Sequence, residues 1–206
     1  APCDIKHKDI NDDGLNDAND HCYLRKAWFP SWAYGLGFNL NYHNFDLALF
    51  FQGVSDVSIM ANGGSIDTGN GDWGASGVGI VPFTGMGLNP SNVITKALDR
   101  WTADNPRADA WYPRMTANAT TNDNNYVNST HWLKDGSYLR LKQASLGYTL
   151  ENKKLMDKGI EYLYFYLSGQ NLLTFSKFKL WDPELGSNGA KYPLSRMVTL
   201  GMRVSF

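Results

Sequence analysis

The amino-acid sequence predicts an all-β fold: a portion of a transmembrane antiparallel β-barrel, with about five strands and long extracellular loops. Three observations predict it. Several segments alternate between apolar and polar residues with a period of two, and the connections between them are alternately very short and very long. The last alternating segment runs to a terminal aromatic residue, Phe206. This combination is typical of strands that cross a bilayer.

The first two strands are predicted as a hairpin. Residues 32–42 carry aromatic residues and leucine at the even positions, and Gly, Asn or Ala at the odd ones. This segment has the length of a tilted membrane-spanning strand, about 9–11 residues. His43 and Asn44 form a tight turn, in which Asn44 is expected to take a positive φ, and residues 45–52 return with the same alternation.

Residues 54–136 form a long connection rich in Gly, Asn, Asp and Trp. It contains one predicted helix, because Ile94, Ala97, Leu98 and Trp101 recur at helical spacing. A loop of this length is uncommon inside a compact soluble domain, whereas it is usual on the outer side of a barrel.

The third strand is predicted at 137–150, but the parity of its apolar residues changes partway along. A β-bulge near Lys142 and Gln143 would restore one continuous apolar face. The segments that follow are a short polar link, a fourth strand, a medium loop and a last strand, at 151–160, 161–175, 176–193 and 194–206.

All the short connections fall at one end of the strands. In bacterial barrels the short turns are periplasmic and the long loops extracellular, so Phe206 is expected at the periplasmic end. Tyr42, Tyr148 and Tyr162 fall at the same end, where an aromatic belt is expected. Five strands do not close a barrel, so a preceding part of the polypeptide is expected to supply the others. A soluble β-sandwich with its apolar faces packed together is the alternative.

Composition narrows the classes of partner. The net charge is −1, so there is no electrostatic basis for binding nucleic acid or an anionic membrane surface. Aromatic residues make up 14% of the chain, and no apolar run reaches the roughly 20 residues of a membrane-spanning helix. Residues 1–8 contain no apolar signal-peptide core, so an amino-terminal part of the protein is expected to precede them.

Residues 9–20 fit the spacing of a calcium-binding loop, with Gly at the sixth position. The last position is Asp, whose arm is shorter than that of the usual Glu. The alternative is a loop of Asx turns with solvated carboxylates and no metal. The candidate calcium ligands are Asp9, Asn11, Asp13, the Leu15 carbonyl, Asp17 and Asp20.

Cys3 and Cys22 flank this acidic loop. A disulfide between them would stabilise the loop by about 3 kcal/mol in the chain-entropy model. The alternative is two unrelated thiols.

No catalytic constellation is present, so the chain is not predicted to be an enzyme. Its four histidines, His7, His21, His43 and His131, are scattered along the sequence. Neither a Ser/His/Asp set nor a glycine-rich phosphate loop accompanies them.

The sequence resembles the SusC/RagA family of TonB-linked outer-membrane proteins in several stretches that occur in the same order. It departs from the family at Cys3, where Gly is usual, and at 11–14, where Asn-Asp-Asp-Gly replaces Asn-Gly-Asp-Gly. The matching stretches are 3–14, 17–20, 45–53, 99–106, 136–142, 168–175 and 182–206.

The resemblance implies a multi-pass protein of the cell outer membrane, a large plugged barrel that imports oligosaccharides or peptides. Its partners would be the remaining amino-terminal part of the barrel and plug, a SusD-like lipoprotein lid, the TonB complex and outer-membrane lipid. Residues 1–30 would then be an extracellular acidic segment, and 31–206 the carboxyl-terminal strands and loops of the barrel. Phe206 would serve as the signal for barrel assembly.

The predicted function therefore involves contact rather than chemistry. Four loop tryptophans are candidate surfaces for a ligand or for the lid: Trp73, Trp101, Trp111 and Trp181. The alternative function is a soluble calcium-dependent carbohydrate-binding β module.

Overall fold

The computed structural model of the chain describes residues 4–61, 95–115, 123–125, 128–187 and 192–206. The chain divides into two compact units. The loop unit comprises Ala1–Phe29, Val57–Gly136 and Phe178–Tyr192, and the strand unit comprises Pro30–Asp56, Ser137–Lys177 and Pro193–Phe206. The boundary predicted at residue 30 stays a prediction.

Seven strands and one short α-helix are present in the described residues. The α-helix, α1, is Lys153–Met156. The strands in chain order are β1 Trp32–Tyr42, β2 Phe45–Ser55, β3 Ser58–Met60, β4 Leu133–Asp135, β5 Tyr138–Leu150, β6 Tyr162–Ser176 and β7 Met197–Ser205.

The strand unit is one antiparallel sheet with the order β1-β2-β5-β6-β7. Each strand pairs with the next long strand along the chain, so this is the meander expected from the sequence. The sheet is not closed, because β1 pairs only with β2 and β7 only with β6 in the described part of the chain. The fold is that of an open portion of an antiparallel β-barrel, and this prediction is confirmed.

The hairpin between β1 and β2 has the predicted register, with Tyr42 opposite Phe45. The detail of its turn differs from the prediction. His43, not Asn44, takes the positive φ, of 52°. The Asn44 carbonyl instead accepts a hydrogen bond from the Thr149 backbone N–H at 2.8 Å, which ties the turn to β5.

The predicted bulge in β5 is confirmed. Phe50 pairs with Gln143 and Phe51 with Leu141, so Lys142 is the extra residue. The sequence did not predict a second irregularity in β6, at Asn171, whose φ is 53°. Both irregularities lie between the pairs Leu141–Leu173 and Gln143–Gln170, so β5 and β6 change register together.

The long connection contains structure that alternation did not reveal. β3 and β4 form a separate two-stranded sheet, and each is only three residues long, too short to show a period. The predicted helix is reduced to one 3-10 turn at Thr95–Leu98. The predicted apolar face is confirmed at Ala97, which is buried. The prediction is wrong at Leu98, which is 76% exposed. Ile94 lies outside the described residues.

A hydrophobic core lies in the loop unit. It consists of residues from three separate segments of the chain, which pack around the buried Trp132 and Tyr112. Its buried members are Ile59, Met60, Ala61, Ala97, Tyr112, Trp132 and Phe178.

Candidate functional site

The strand unit has one continuous apolar face. Directly opposed residues of antiparallel strands project to the same side, so the pairings carry this face from β1 to β7. Its side chains are exposed on both edge strands, where Leu40 is 62% and Leu200 80% exposed, and partly exposed on the inner strands, where Leu146 is 45% exposed. It comprises Tyr34, Leu36, Phe38, Leu40, Tyr42, Phe45, Leu47, Leu49, Phe51, Leu139, Leu141, Ala144, Leu146, Tyr148, Leu150, Leu163, Phe165, Leu167, Leu173, Phe175, Val198, Leu200, Met202 and Val204.

Aromatic residues border this face at the end with the short connections. Phe45 lies between Tyr42 and Tyr148 in the pairing, and its ring centroid is 4.7 Å from that of Tyr148. Tyr162 pairs with Ser205 and lies on the other face. The predicted aromatic belt is therefore wrong for Tyr162. Successive side chains of a strand project to opposite faces, and the neighbouring Leu163 lies on the apolar face.

The other face of the sheet is polar and carries a connected cluster. The Tyr164 hydroxyl donates a hydrogen bond to Asp46 Oδ2 at 2.9 Å. The Tyr164 and Tyr166 rings stack with centroids 5.9 Å apart, and the Arg203 guanidinium lies 6.0 Å from the Tyr164 ring centroid. Gly147 lies on the same face, between the strands of Asp46 and Tyr164.

The acidic loop is held by its own carboxylates. Asp9 accepts hydrogen bonds from the backbone N–H groups of Asp12 and Gly14, at 2.7 and 2.8 Å. Asp20 accepts from Ile10 and Asp17 in the same way, at 2.7 and 3.0 Å. These backbone hydrogen bonds, the Ile10 one first, lower the Asp20 pKa below its ordinary value.

Most predicted calcium ligands take part in this network. Asp13 accepts from the Leu15 N–H, Asn11 accepts from the Asp13 N–H, and Asp17 accepts from the Asn19 N–H. In the described residues, no group of three or more acidic, histidine or cysteine side chains is arranged to hold a metal ion. The carboxylates instead cap backbone donors, as Asx turns do. The calcium site stays a prediction.

A latch joins the start of the chain to the loop-unit core; it consists of Asp4, Ile5, Arg114 and Asn125. Arg114 donates two hydrogen bonds to the Asp4 carboxylate, at 3.0 and 3.2 Å. The fully buried Asn125 donates to Asp4 at 2.8 Å and accepts from the Ile5 N–H at 2.7 Å. Burial would raise the pKa of Asp4, but the hydrogen bonds from Arg114 and Asn125 lower it well below its ordinary value.

The structure describes only one of the two cysteines of the predicted disulfide. Cys22 is exposed and forms no disulfide with any residue that the structure describes. Cys3 lies outside the described residues, so the pairing stays a prediction.

The loop tryptophans differ in environment. Trp111 and Trp181 pack against the loop-unit core. The Trp111 ring is 5.6 Å from that of Trp132, and Trp181 Nε1 donates to the Gly186 carbonyl at 2.7 Å. Trp101 is partly exposed, and its backbone N–H donates to the Tyr112 backbone carbonyl. Trp73 lies outside the described residues, and contact of any of the four with a ligand stays a prediction.

Sequence reasoning missed two charged groups in the loop unit. Asp99 forms ion pairs with Lys96 and Arg107, and hydrogen bonds from Lys96 lower its pKa despite the opposing effect of burial. Lys134 lies 5.4 Å from the Trp111 ring centroid, and burial lowers its pKa. The signal was present at Lys96 and Asp99, whose spacing of three residues is that of a helical ion pair.

No helix in the described residues has the length and apolar character needed to cross a membrane. No protein-family model matches the chain.

Two curated relatives from Formosa agariphila match the chain. It is 28% identical over 217 residues to TonB-dependent receptor P26, covering 98% of this chain and 19% of the relative. It is 28% identical over 191 residues to TonB-dependent receptor P3, covering 86% of this chain and 16% of the relative. The chain thus spans less than a fifth of the length of these relatives.

Solved structures of one system share the fold. The RagAB peptide importer in its closed-closed state matches with a TM-score of 0.65 and 26% identity, over 93% of this chain and 19% of the importer chain. The open-open state matches over the same shares of both chains with a TM-score of 0.61 and 26% identity.

The open antiparallel sheet, apolar on one face and polar on the other, defines a portion of an outer-membrane type of barrel. Together with these matches, it supports similarity of the chain to a SusC/RagA-like fragment of a TonB-dependent receptor.

Proposed function

We propose that this chain supplies barrel strands and outer loops to a TonB-dependent transporter of the outer membrane. The continuous exposed apolar face of the sheet carries the proposal. Monomeric soluble proteins rarely expose contiguous apolar patches of more than a few hundred Å². Lipid is the medium in which such a face is stable, and the polar opposite face would then line the interior.

The outer loops would contact a SusD-like lipoprotein lid, and the missing part of the receptor would supply the plug and the TonB contact. The cargo class is a peptide or an oligosaccharide. Similarity to a protein described as a peptide importer supports the peptide.

The experiment is expression of the full-length receptor that contains this chain. We expect it to be extracted from membranes only by detergent, and to migrate differently in gels before and after heating. A folded, detergent-free monomer would contradict the proposal and favour the soluble carbohydrate-binding module.

Cargo class is tested separately in cells that lack the receptor. We expect loss of growth on a mixture of oligopeptides as the nitrogen source, with growth on oligosaccharides unchanged. Loss on oligosaccharides alone would assign the other cargo class, and loss on neither would contradict an import function for both.

A further inference from the structure

The hydrogen bond between Asp46 and Tyr164 joins strands that are not neighbours. Asp46 lies on β2 and Tyr164 on β6, with β5 between them. Adjacent strands are about 4.8 Å apart, so two side chains must bridge roughly twice that distance across the intervening backbone. In the described part of the sheet, ring contacts on the apolar face, such as Phe38–Phe51 and Phe45–Tyr148, join adjacent strands only.

Gly147 makes this bridge sterically feasible. It is opposite Asp46 in the β2–β5 pairing, and it is buried beneath the two side chains. A Cβ at this position would overlap the Tyr164 hydroxyl and both carboxylate oxygens of Asp46. The side chain of any other residue would therefore displace the Asp46 and Tyr164 side chains from their positions over the sheet.

A second ring is seated in the same manner on the polar face. Tyr166 lies against Gly201, its partner on β7, and a Cβ there would overlap the Tyr166 ring. Arg203, two residues further along β7, lies over the Tyr164 ring. The cluster thus continues from β2 to β7 on the polar face alone.

Bending a sheet brings side chains of next-but-one strands together on its concave face and separates them on its convex face. A contact across β5 therefore favours bending toward the polar side. We propose that the Asp46–Tyr164 bridge, seated on Gly147, is an internal strut that sets the inward curvature of the sheet. The inference rests on the proposed barrel function, which makes that concave side the interior and supplies the heat-sensitive gel form used as the readout.

A double-mutant cycle in the full-length receptor tests whether the Asp46–Tyr164 bridge requires glycine at position 147. The readout is the temperature at which half of the receptor loses its folded, heat-sensitive gel form. We expect Gly147→Ala to lower this temperature in the wild-type background. It should have no further effect in a Tyr164→Ala background, because the ring is gone and the Asp46 side chain is then able to rotate away.

Gly37→Ala is the matched control. Gly37 is also on the polar face, but the nearest atoms to a Cβ there are at an ordinary 3.9 Å. We expect no shift for this variant. An equal loss for Gly147→Ala in both backgrounds, or an equal loss for Gly37→Ala, would overturn the proposal.

The bridge itself is tested with milder changes in case Gly147→Ala blocks assembly. Tyr164→Phe removes only the hydroxyl, and Asp46→Ala removes its acceptor. Each should lower the temperature, and the double variant should lower it no further than the single ones. Additive losses would overturn the strut. The temperatures of all the variants are measured in whichever fraction contains the receptor. Whether detergent is needed to extract the receptor is a separate result, which bears on the proposed function.

Discussion

At the scale of single residues, polar side chains hold the loop unit together. Asn125 uses its whole amide: it donates to Asp4 and to the Arg114 carbonyl, and accepts from the Ile5 N–H. The Asn125 backbone carbonyl accepts from the Trp132 indole N–H at 2.9 Å. No periodicity marks such a residue, since all four of its partners lie outside the described strands.

Replacing Asn125 by Ala should loosen the loop unit. Each buried donor or acceptor left without a partner costs about 1–3 kcal/mol. Limited proteolysis of the full-length receptor should show faster cleavage within 4–29 and 95–136. Asn124→Ala is the control, because Asn124 is exposed and, among the described residues, its amide donates one hydrogen bond, to the Ile5 carbonyl. Equal cleavage rates for the two variants would contradict the role of the latch.

The depressed pKa of Asp4 predicts a direction of acid sensitivity. A carboxyl whose pKa is lower in the folded state stabilises that state above its unfolded pKa, of about 3.9, and loses this contribution as the pH falls through the lower folded value. The protection of loop-unit amides, meaning the factor by which they exchange more slowly than in the unfolded chain at the same pH, should therefore decrease below about pH 4.

Asp4→Asn should show less protection than the wild type already at neutral pH, and its further loss of protection in acid should be smaller than that of the wild type. The same acid profile in both proteins would show that another group is responsible.

At the scale of elements, the alternation of apolar and polar residues predicts where the strands run. The bulge in β5 confirms which of its residues belong to the apolar face. The apolar residues of β5 change parity at Lys142, and the pairing with β2 places the extra residue there. Leu139 and Leu141 thereby share a face with Leu146 and Tyr148. The partner irregularity at Asn171 was not predictable, because the spacing between Leu167 and Leu173 is even and no parity change marks it.

Leu200 and Thr199 test the two faces of β7. Leu200 is 80% exposed on the apolar face, and Thr199 lies beside it on the polar face, opposite Ser168. Leu200→Arg should destabilise the receptor by about 2–4 kcal/mol if the site lies at the bilayer midplane, whereas Thr199→Arg should be tolerated.

The measurement is the fraction of each variant that reaches the heat-sensitive folded form in the membrane. A greater loss for Thr199→Arg than for Leu200→Arg would reverse the assignment of the two faces.

At the scale of the whole molecule, the chain divides into a loop unit and a strand unit. The loop unit has its own core, in which Trp132 contacts Trp111 and Tyr112 with ring centroids 5.6 and 5.8 Å away. The strand unit is held by backbone pairing along the sheet. Damage to one unit should therefore leave the other largely intact.

Trp132→Ala is the corresponding variant. Removing a buried Trp costs about 3–5 kcal/mol, so the loop unit should become sensitive to protease. The heat-sensitive barrel form should persist, with a melting temperature close to that of the wild type. Loss of that form would show that the barrel depends on the loop core for assembly.

The sequence by itself determined the five long strands, their order and the side of the sheet that each apolar residue occupies. It could do so because strand periodicity and connection length are local properties of the chain. Only the tertiary structure decided that distant loop segments share one core, that Asn125 closes the latch, and that Tyr164 crosses Gly147 to reach Asp46. Those contacts join residues more than ten positions apart, most of them more than a hundred, and no local pattern in the sequence encodes them.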